Sequence, residues 1–276
     1  MEYTKKELEN LKTCLMYIMK DIHRVCVEND IRYFCYGGTM LGAVRHKGFI
    51  PWDDDMDICM PRPDYERFMQ IADAKLKEDL FVENYKNTKG YGHPFGKVML
   101  KGTVWKENFT EKVDCHKNIY VDVFPLDCIS SDPMRFKWDT IRVRIIQRML
   151  LLNCSYKYTK KGIKKILYRM GYWFSKKWKK ETLISLWEKL AIKDEKLQNG
   201  QYTIFSGVYP IGREVVLKDE IQEFTEMPFE DTEFVVPKAY DAILKRMYGD
   251  YMVLPPKEKQ VSHHNLIEID FGEYGV

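Results

Sequence analysis

Four aspartates fall within five residues of this chain, Asp53, Asp54, Asp55 and Asp57. Carboxylates crowded together in a shielded place repel one another, and a hard cation with a preference for oxygen is the usual remedy. In an extended segment side chains alternate between faces, so Asp53, Asp55 and Asp57 share one face while Asp54, Met56 and Ile58 share the other. Met56 and Ile58 are core-seeking. Asp55 and Asp57 therefore point outward together, about 7 Å apart along the strand, a spacing that lets two carboxylates hold one or two divalent ions. Mg²⁺ fits such a donor set, with Mn²⁺ as a substitute. A solvated acidic turn after Trp52 is the alternative.

A third carboxylate is expected from a neighbouring strand. Asp122 lies inside the apolar run Tyr120-Val121-Asp122-Val123-Phe124, where an acid is costly unless paired or liganded. It is the chosen third acid, with an ion pair to a nearby lysine as its alternative, and Asp127 is assigned to a turn or cap. Upstream, Gly37-Gly38-Thr39 precedes a short helix and offers backbone N–H groups and a positive helix end to a phosphate. Arg45, His46 and Lys47 follow a short way on. Lys97 and Lys101, on a strand predicted over 95–105, are within reach of the same anion or are solvated edge charges. Together these residues describe a phosphate-and-metal site.

The elements that must position them read as follows. Leu8, Leu11, Leu15, Ile18, Ile22 and Val25 recur at helical spacing and predict a scaffold helix. Alternation and aromatic content predict a strand over 31–36 running into the glycine turn, with Thr39 capping the short helix. A strand over 52–60 ends at Pro61. A helix over 64–77 follows, then strands over 80–85, 95–105 and 119–124. The segment 135–180 is helical by pattern, and another helix covers 182–197. Strand character returns at 201–209 and 234–236, before a helix over 237–248. The fold class is α+β, divided into a catalytic core over 1–134, a basic helical insertion over 135–200, and a C-terminal part over 201–276 that completes the core.

Composition narrows the function classes. The chain has 276 residues, 45% hydrophobic and 31% charged, which excludes a disordered or collagen-like chain. No apolar run approaches the ~20 residues of a membrane span, and no apolar stretch follows a basic start, so a cytoplasmic protein is expected. Seven scattered cysteines without a Cys-x-x-Cys pair argue against a disulfide framework or a zinc ribbon. From 135 to 180 there are fifteen Lys/Arg and one acid, +14, leaving −11 for the remainder of a chain whose net charge is +3. The acidic remainder suits metal-dependent chemistry, and the basic stretch suits an anionic surface.

The run Gly38-Thr39-x-Leu41-Gly42-x-x-Arg45-His46-x-Gly48-x-Ile50-Pro51-Trp52-Asp53-Asp54-Asp55-x-Asp57 resembles the LicD family of phosphocholine transferases, whose wider relatives include the fukutin-type phosphoribitol transferases. The segments 121–127, 236–251 and 255–264 look like further landmarks of that family, so the resemblance leaves out chiefly the basic helices. It implies a nucleotidyltransferase-like fold of the polymerase beta type, a mixed sheet flanked by helices. It implies Asp55, Asp57 and Asp122 as catalytic and metal-binding triad, in agreement with the parity argument. The implied donor is a CDP-activated alcohol, CDP-choline foremost. The implied acceptor is a hydroxyl of a cell-surface glycan such as a teichoic acid, lipopolysaccharide or capsule precursor.

On that footing Arg45 and Lys97 neutralise the pyrophosphate, Asp122 accepts the acceptor's proton, and His263 and His264 contact the donor or serve structure. A quaternary ammonium calls for an aromatic cage, for which Tyr33, Tyr36, Trp52, Tyr91, Trp105 and Tyr120 are candidates, each with a core role as its alternative. Lys160, Lys161, Lys164 and Lys165, near Trp173 and Trp178, suit contact with an anionic membrane at its inner face or with a lipid-linked acceptor, or form a solvated face. No nucleic acid is expected. Two other functions share the fold: a nucleotidyltransferase acting on a small molecule or RNA, and a non-catalytic glycan- or membrane-binding module.

Overall fold

The computed structural model describes residues 3–156, 163–197, 200–207, 209–262 and 264–275. It opens with helix α1 (Lys5–Glu28), strand β1 (Phe34–Cys35) and helix α2 (Gly37–His46). Strand β2 (Asp57–Pro61) and helix α3 (Arg62–Lys75) lead to β3 (Leu80–Glu83), β4 (Gly96–Leu100), β5 (Val104–Glu107) and the long β6 (Tyr120–Cys128). Helices α4 (Pro133–Asn153), α5 (Ile163–Ser175) and α6 (Lys180–Ala191) follow. Then come β7 (Gln201–Thr203), β8 (Val215–Leu217), β9 (Phe224–Phe229), β10 (Thr232–Pro237), α7 (Tyr240–Tyr248) and β11 (Leu266–Asp270). The class is mixed α+β.

α1 starts where Thr4 and Glu7 close a capping box: the Glu7 N–H donates to Thr4 Oγ1 at 3.2 Å and the Thr4 N–H to Glu7 Oε2 at 2.7 Å. Its apolar face, including Leu11, Leu15, Ile18 and Ile22, is buried and joins the core formed on the sheet. That sheet runs β1-β2-β6-β4-β3, with β7 added to the far end of β6 and β8 added to β7. β2 and β6 are parallel, while β1–β2, β4–β6 and β3–β4 are antiparallel. α3, with proline in its first turn, connects β2 to β3.

Several sequence expectations are corrected. The strand expected over 52–60 begins only at Asp57, because residues 51–52 turn and 53–56 form no regular structure and join no ladder. α2 begins at Gly37 with Tyr36 at its cap, so Thr39 sits inside the first turn and caps nothing. The strand over 95–105 is two, β4 and β5, divided by a turn in which Gly102 takes φ +73°. Asp127 is not a turn residue: it is fully buried and grips Arg62 through two bonds of 2.6 and 2.8 Å. That pair ties the start of α3 to the end of β6. β8, β9 and β11 were not foreseen.

The helices over 135–200 do not stand apart from the rest. α4 packs on α5 and α6, a small core of Ile129, Val143, Trp187, Ala191 and Phe205 joins them to the segments flanking the sheet, and α4 walls the central cavity. Among the described residues, no helix is long and apolar enough to cross a membrane.

Candidate functional site

The parity argument holds although the ladder starts late. Asp54, Met56 and Ile58 are buried without exposure, and Asp53, Asp55 and Asp57 line one large cavity of about 1510 Å³ together with Gly37, Gly38 and Asp122. The backbone around these acids is pinned locally. The Asp57 N–H donates to Thr39 Oγ1 at 2.8 Å, the Tyr36 N–H to the Asp57 carbonyl at 2.9 Å, and the Asp122 N–H to the Met56 carbonyl at 3.0 Å. Asp57 and Asp122 are register partners on parallel β2 and β6, which puts their side chains side by side on one face.

The two glycines make room for the acids. A Cβ on Gly38 would fall 2.6 Å from Asp53 Oδ2, and one on Gly37 would lie 3.3 Å from Asp57 Oδ2. Gly37 also takes φ +56°, a conformation that favours glycine. Carboxylates thus press against the first turn of α2, where the helix end is positive.

Electrostatics mark this as a site under strain. Burial first, then Asp55, Asp122 and Asp53, push the Asp57 carboxyl well above its ordinary range. Burial together with Asp55 and Asp54 pushes Asp53 up to about 8. Asp122 is raised by burial, although Lys97 opposes the shift. Carboxylate oxygens of Asp53, Asp54 and Asp55 lie within 4.8 Å of one another. This tightest grouping is not the expected triad, since Asp54 turns to the core side, where His264 Nδ1 donates to it at 3.0 Å. The acids left facing the cavity, Asp53, Asp55, Asp57 and Asp122, form an all-oxygen donor set whose mutual repulsion a hard divalent cation would relieve, so the residues present fit such an ion.

The structure distributes the other expected residues unevenly. Lys97 is buried beside Asp122, Nζ to Oδ1 2.9 Å, with its ammonium 3.0 Å from the centre of the Tyr120 ring; the ion pair held as the alternative for Asp122 is therefore present. Arg45 lines the cavity and donates to the Tyr251 carbonyl at 2.6 Å. His46 lies behind it, accepting from Arg45 Nε at 2.9 Å, so it orients the guanidinium instead of facing a ligand. Thr39 holds the Asp57 amide. Lys101 is turned away, donating to the Glu78 carbonyl. His264 lines the cavity with its ring 4.8 Å from that of Trp105. Burial alone would lower its pKa, but Asp54 and Asp55 raise it to about 10. His263 lies outside the described residues.

Of the six aromatics singled out, Tyr36, Trp52, Tyr91, Trp105 and Tyr120 line the cavity. Tyr33 does not: it is buried with its hydroxyl 2.6 Å from His23 Nδ1. Residues not foreseen at the site are Glu83, Arg144, Tyr209, Glu214 and Tyr248. The Tyr209 and Tyr248 hydroxyls are 3.1 Å apart, and Tyr248 lies close enough to Asp57 to feel its charge. Glu214, beneath Gly207, is pushed up to about 7 by burial, against the pull of Arg144. Arg144 belonged to the supposed insertion, and only α4's packing brings it here.

Comparison with known proteins finds similarity over part of the chain and, more weakly, over nearly all of it. Residues 30–149 match the family model described as LicD/FKTN/FKRP, nucleotidyltransferase domain. Over 264 residues, 94% of this chain and 97% of the relative, the sequence is 26% identical to the lipopolysaccharide cholinephosphotransferase LicD of Haemophilus influenzae. Shorter stretches match uncharacterized proteins of Rickettsia typhi, 49% over 57 residues, and Rickettsia prowazekii, 43% over 68 residues. These cover 21% and 24% of this chain, and 18% and 26% of those proteins. Over residues 30–149 the chain is similar to the LicD family, and the similarity to the Haemophilus protein extends it along nearly the whole chain.

Proposed function

We propose that this protein is a metal-dependent phosphotransferase that moves phosphocholine, or a related phospho-alcohol, from a CDP-linked donor to a hydroxyl of a cell-surface glycan. The observation that carries the reading is the register pairing of Asp57 with Asp122 beside Asp55, beneath the Gly37-Gly38 turn. The relative aligned over almost its whole length, named for choline phosphate transfer to lipopolysaccharide, supports the phospho-alcohol and points to a lipopolysaccharide-type acceptor ahead of teichoic acid or capsule.

In the reaction the acceptor oxygen bonds to the phosphorus bearing the alcohol. The bond from that phosphorus to the bridging oxygen breaks, CMP leaves with the electron pair, and the hydroxyl proton is released. Asp55, Asp57 and Asp122 would hold Mg²⁺, or Mn²⁺ in its place, and the ion would offset charge on the transferred phosphoryl group and the leaving CMP. The first turn of α2 at Gly37 and Gly38 directs N–H groups toward the donor phosphates. Arg45 and Lys97 bring positive charge to the pyrophosphate, Lys97 without leaving reach of Asp122, which takes the proton. His264, charged through Asp54, adds a fixed positive charge on the far side of the acids.

The basic helices serve the acceptor. On α5, Ile166, Met170, Trp173 and Phe174 are all exposed, Trp173 by 73%. They lie at the spacing of one helix face, near Arg169, Lys176 and Lys177. An apolar face rimmed by cations suits an anionic membrane surface, so the enzyme works in the cytoplasm against the inner leaflet, where lipid-linked glycans are reached.

The test is to supply CDP-choline, CDP-ethanolamine, CDP-glycerol and CDP-ribitol in turn with Mg²⁺ and a lipid-linked glycan pool, and to assay CMP and the modified glycan by mass spectrometry. CMP with a phospho-alcohol on the glycan supports the reading. Pyrophosphate released from CTP or ATP, with none of these donors used, would replace it with a nucleotidyltransferase.

A further inference from the structure

Four strands carry a row of charged side chains across one face of the sheet. Asp57 pairs with Asp122, Asp122 with Lys97, and Lys97 with Glu83. The first three take part in the proposed reaction, whereas Glu83, which lines the same cavity, has no role in it. Its side chain is 1% exposed.

Both hydrogen bonds to Glu83 fall on one oxygen. The His116 backbone N–H donates to Oε1 at 2.9 Å and the His116 ring Nδ1 to the same atom at 2.7 Å. Among the described residues, Oε2 is buried with no hydrogen-bond partner. A carboxylate oxygen left unanswered in a buried place is costly unless something arrives to meet it. The cations close by are engaged: Lys97 with Asp122 and the Tyr120 ring, Lys180 with the Thr88 carbonyl at 2.7 Å.

Around this end the cavity is aromatic. His93 packs edge-on against Tyr156 at 4.9 Å and lies 5.0 Å from Phe95, 5.6 Å from Tyr91 and 6.0 Å from Phe109, between ring centres. All five rings line the cavity. Burial and Lys97 hold the His93 imidazole neutral, its pKa down at about 3. Among the described residues, Tyr91 Oη and His93 Nδ1 are also buried without hydrogen-bond partners. A carboxylate oxygen, two further unanswered polar atoms and several ring faces form a receptor for a positively charged nitrogen.

We infer that Glu83 and the ring cluster of Tyr91, His93, Phe95, Phe109 and Tyr156 bind the cationic nitrogen of the donor's alcohol, and so select aminoalcohol donors over neutral polyols. This rests on the proposed CDP-alcohol chemistry. The strand spacing suits it: Glu83 lies two strands from Asp122, about 10 Å at the backbone. A two-carbon alcohol separates phosphorus from nitrogen by about 5 Å, and the Glu83 and Asp122 side chains reach across the remainder. Ring faces favour a quaternary nitrogen, and the three polar atoms favour a primary ammonium, so choline and ethanolamine are the two sources to distinguish.

The experiment measures kcat/KM for CDP-choline, CDP-ethanolamine and CDP-glycerol in the full-length wild type, Glu83→Gln and Tyr156→Leu, with circular dichroism confirming folding. Glu83→Gln keeps the size of the side chain and an acceptor oxygen for His116. The expected result is a preference of at least tenfold for a cationic donor over CDP-glycerol, whose size says which cation, falling at least tenfold in Glu83→Gln. Calorimetric titration with tetramethylammonium and with ethylammonium chloride reads the receptor without the reaction. Binding of either ion, weakened at least tenfold in Glu83→Gln, upholds the inference even where no CDP-alcohol is used, a result that would sink the reaction and not the receptor. Turnover of CDP-glycerol equal to that of the cationic donors, or an unchanged preference in a folded Glu83→Gln, would overturn the inference.

Discussion

The acidic cavity and the exposed face of α5 differ in what they leave unsatisfied. On the sheet side, at Asp53, Asp57 and Asp122, the excess is negative charge, buried and held in place by strand register and by bonds to Thr39 and Met56. On the helical side, along α5, the excess is apolar surface and positive charge, both exposed. Charge that is buried and fixed can be answered only by something small that enters, whereas exposed rings and lysines can be answered by a surface that stays outside. On the proposed reading the first region takes an ion and a phosphate, and the second docks on a surface.

The largest effect that can break this contrast is metal withdrawal. Activity should vanish on chelation and return with Mg²⁺ or Mn²⁺, and Mg²⁺ should raise the melting temperature of the wild type. The metal-free protein should also respond to pH in a particular direction. Asp53 is held at about 8 against an ordinary value of 3.8, so the folded state binds more protons than the unfolded one over that range. Asp53's contribution to stability is then full below about pH 4 and is lost as the pH rises toward about 8. Asp53→Asn should flatten the profile, and a metal-free melting temperature that climbs from pH 5 to 8 with the same slope in both proteins would contradict the account.

Next in size is Gly38→Ala. Its Cβ would meet Asp53 Oδ2 at 2.6 Å, the end of a side chain that can swing aside, so the protein should fold while the acids shift. A misplacement of ~1 Å costs on the order of 10²-fold in rate, read as kcat/KM with a melting temperature close to wild type. His264→Phe keeps a ring beside Trp105 and strips Asp54 of its cation. Breaking a buried pair costs about 3 kcal/mol, measurable by urea denaturation at pH 7. That loss should shrink as the pH rises through about 10, where His264 itself gives up its proton.

The smallest effect concerns the exposed face of α5. Trp173→Ala with Phe174→Ala should weaken flotation with anionic vesicles about tenfold and leave turnover of a soluble acceptor unchanged. Wild-type flotation should fall with added salt. Flotation indifferent to both lipid charge and the double substitution would leave that face without a membrane role.

The difference between the two regions also explains what could be read from the residues alone. Asp53 to Ile58 declare their faces by alternation, and Met56 and Ile58 fix the parity even where the ladder is absent. Asp122 stood out because an acid within an apolar run is costly. Glu83 ends a strand and looks like any exposed terminal acid until β4 places Lys97 beside it. Arg144 and α4 read as an appendage, since nothing local reveals that β6 continues to Cys128 and pairs with β7 across the 72 intervening residues that carry α4, α5 and α6. His264 was singled out, but its partner was not: Asp54 had been assigned to the core, and only β11 beside β5 brings the C-terminal histidine to it.

The central claim is that the acids of β2 and β6 hold a cation and drive phospho-alcohol transfer. The most direct measurement is CMP release from CDP-choline in the presence of Mg²⁺ and glycan acceptor, wild type against Asp57→Asn, both confirmed folded. The account predicts metal-dependent CMP from the wild type and a loss on the order of 10³-fold in the variant. Equal CMP release by the two proteins, or release indifferent to chelation, would contradict it.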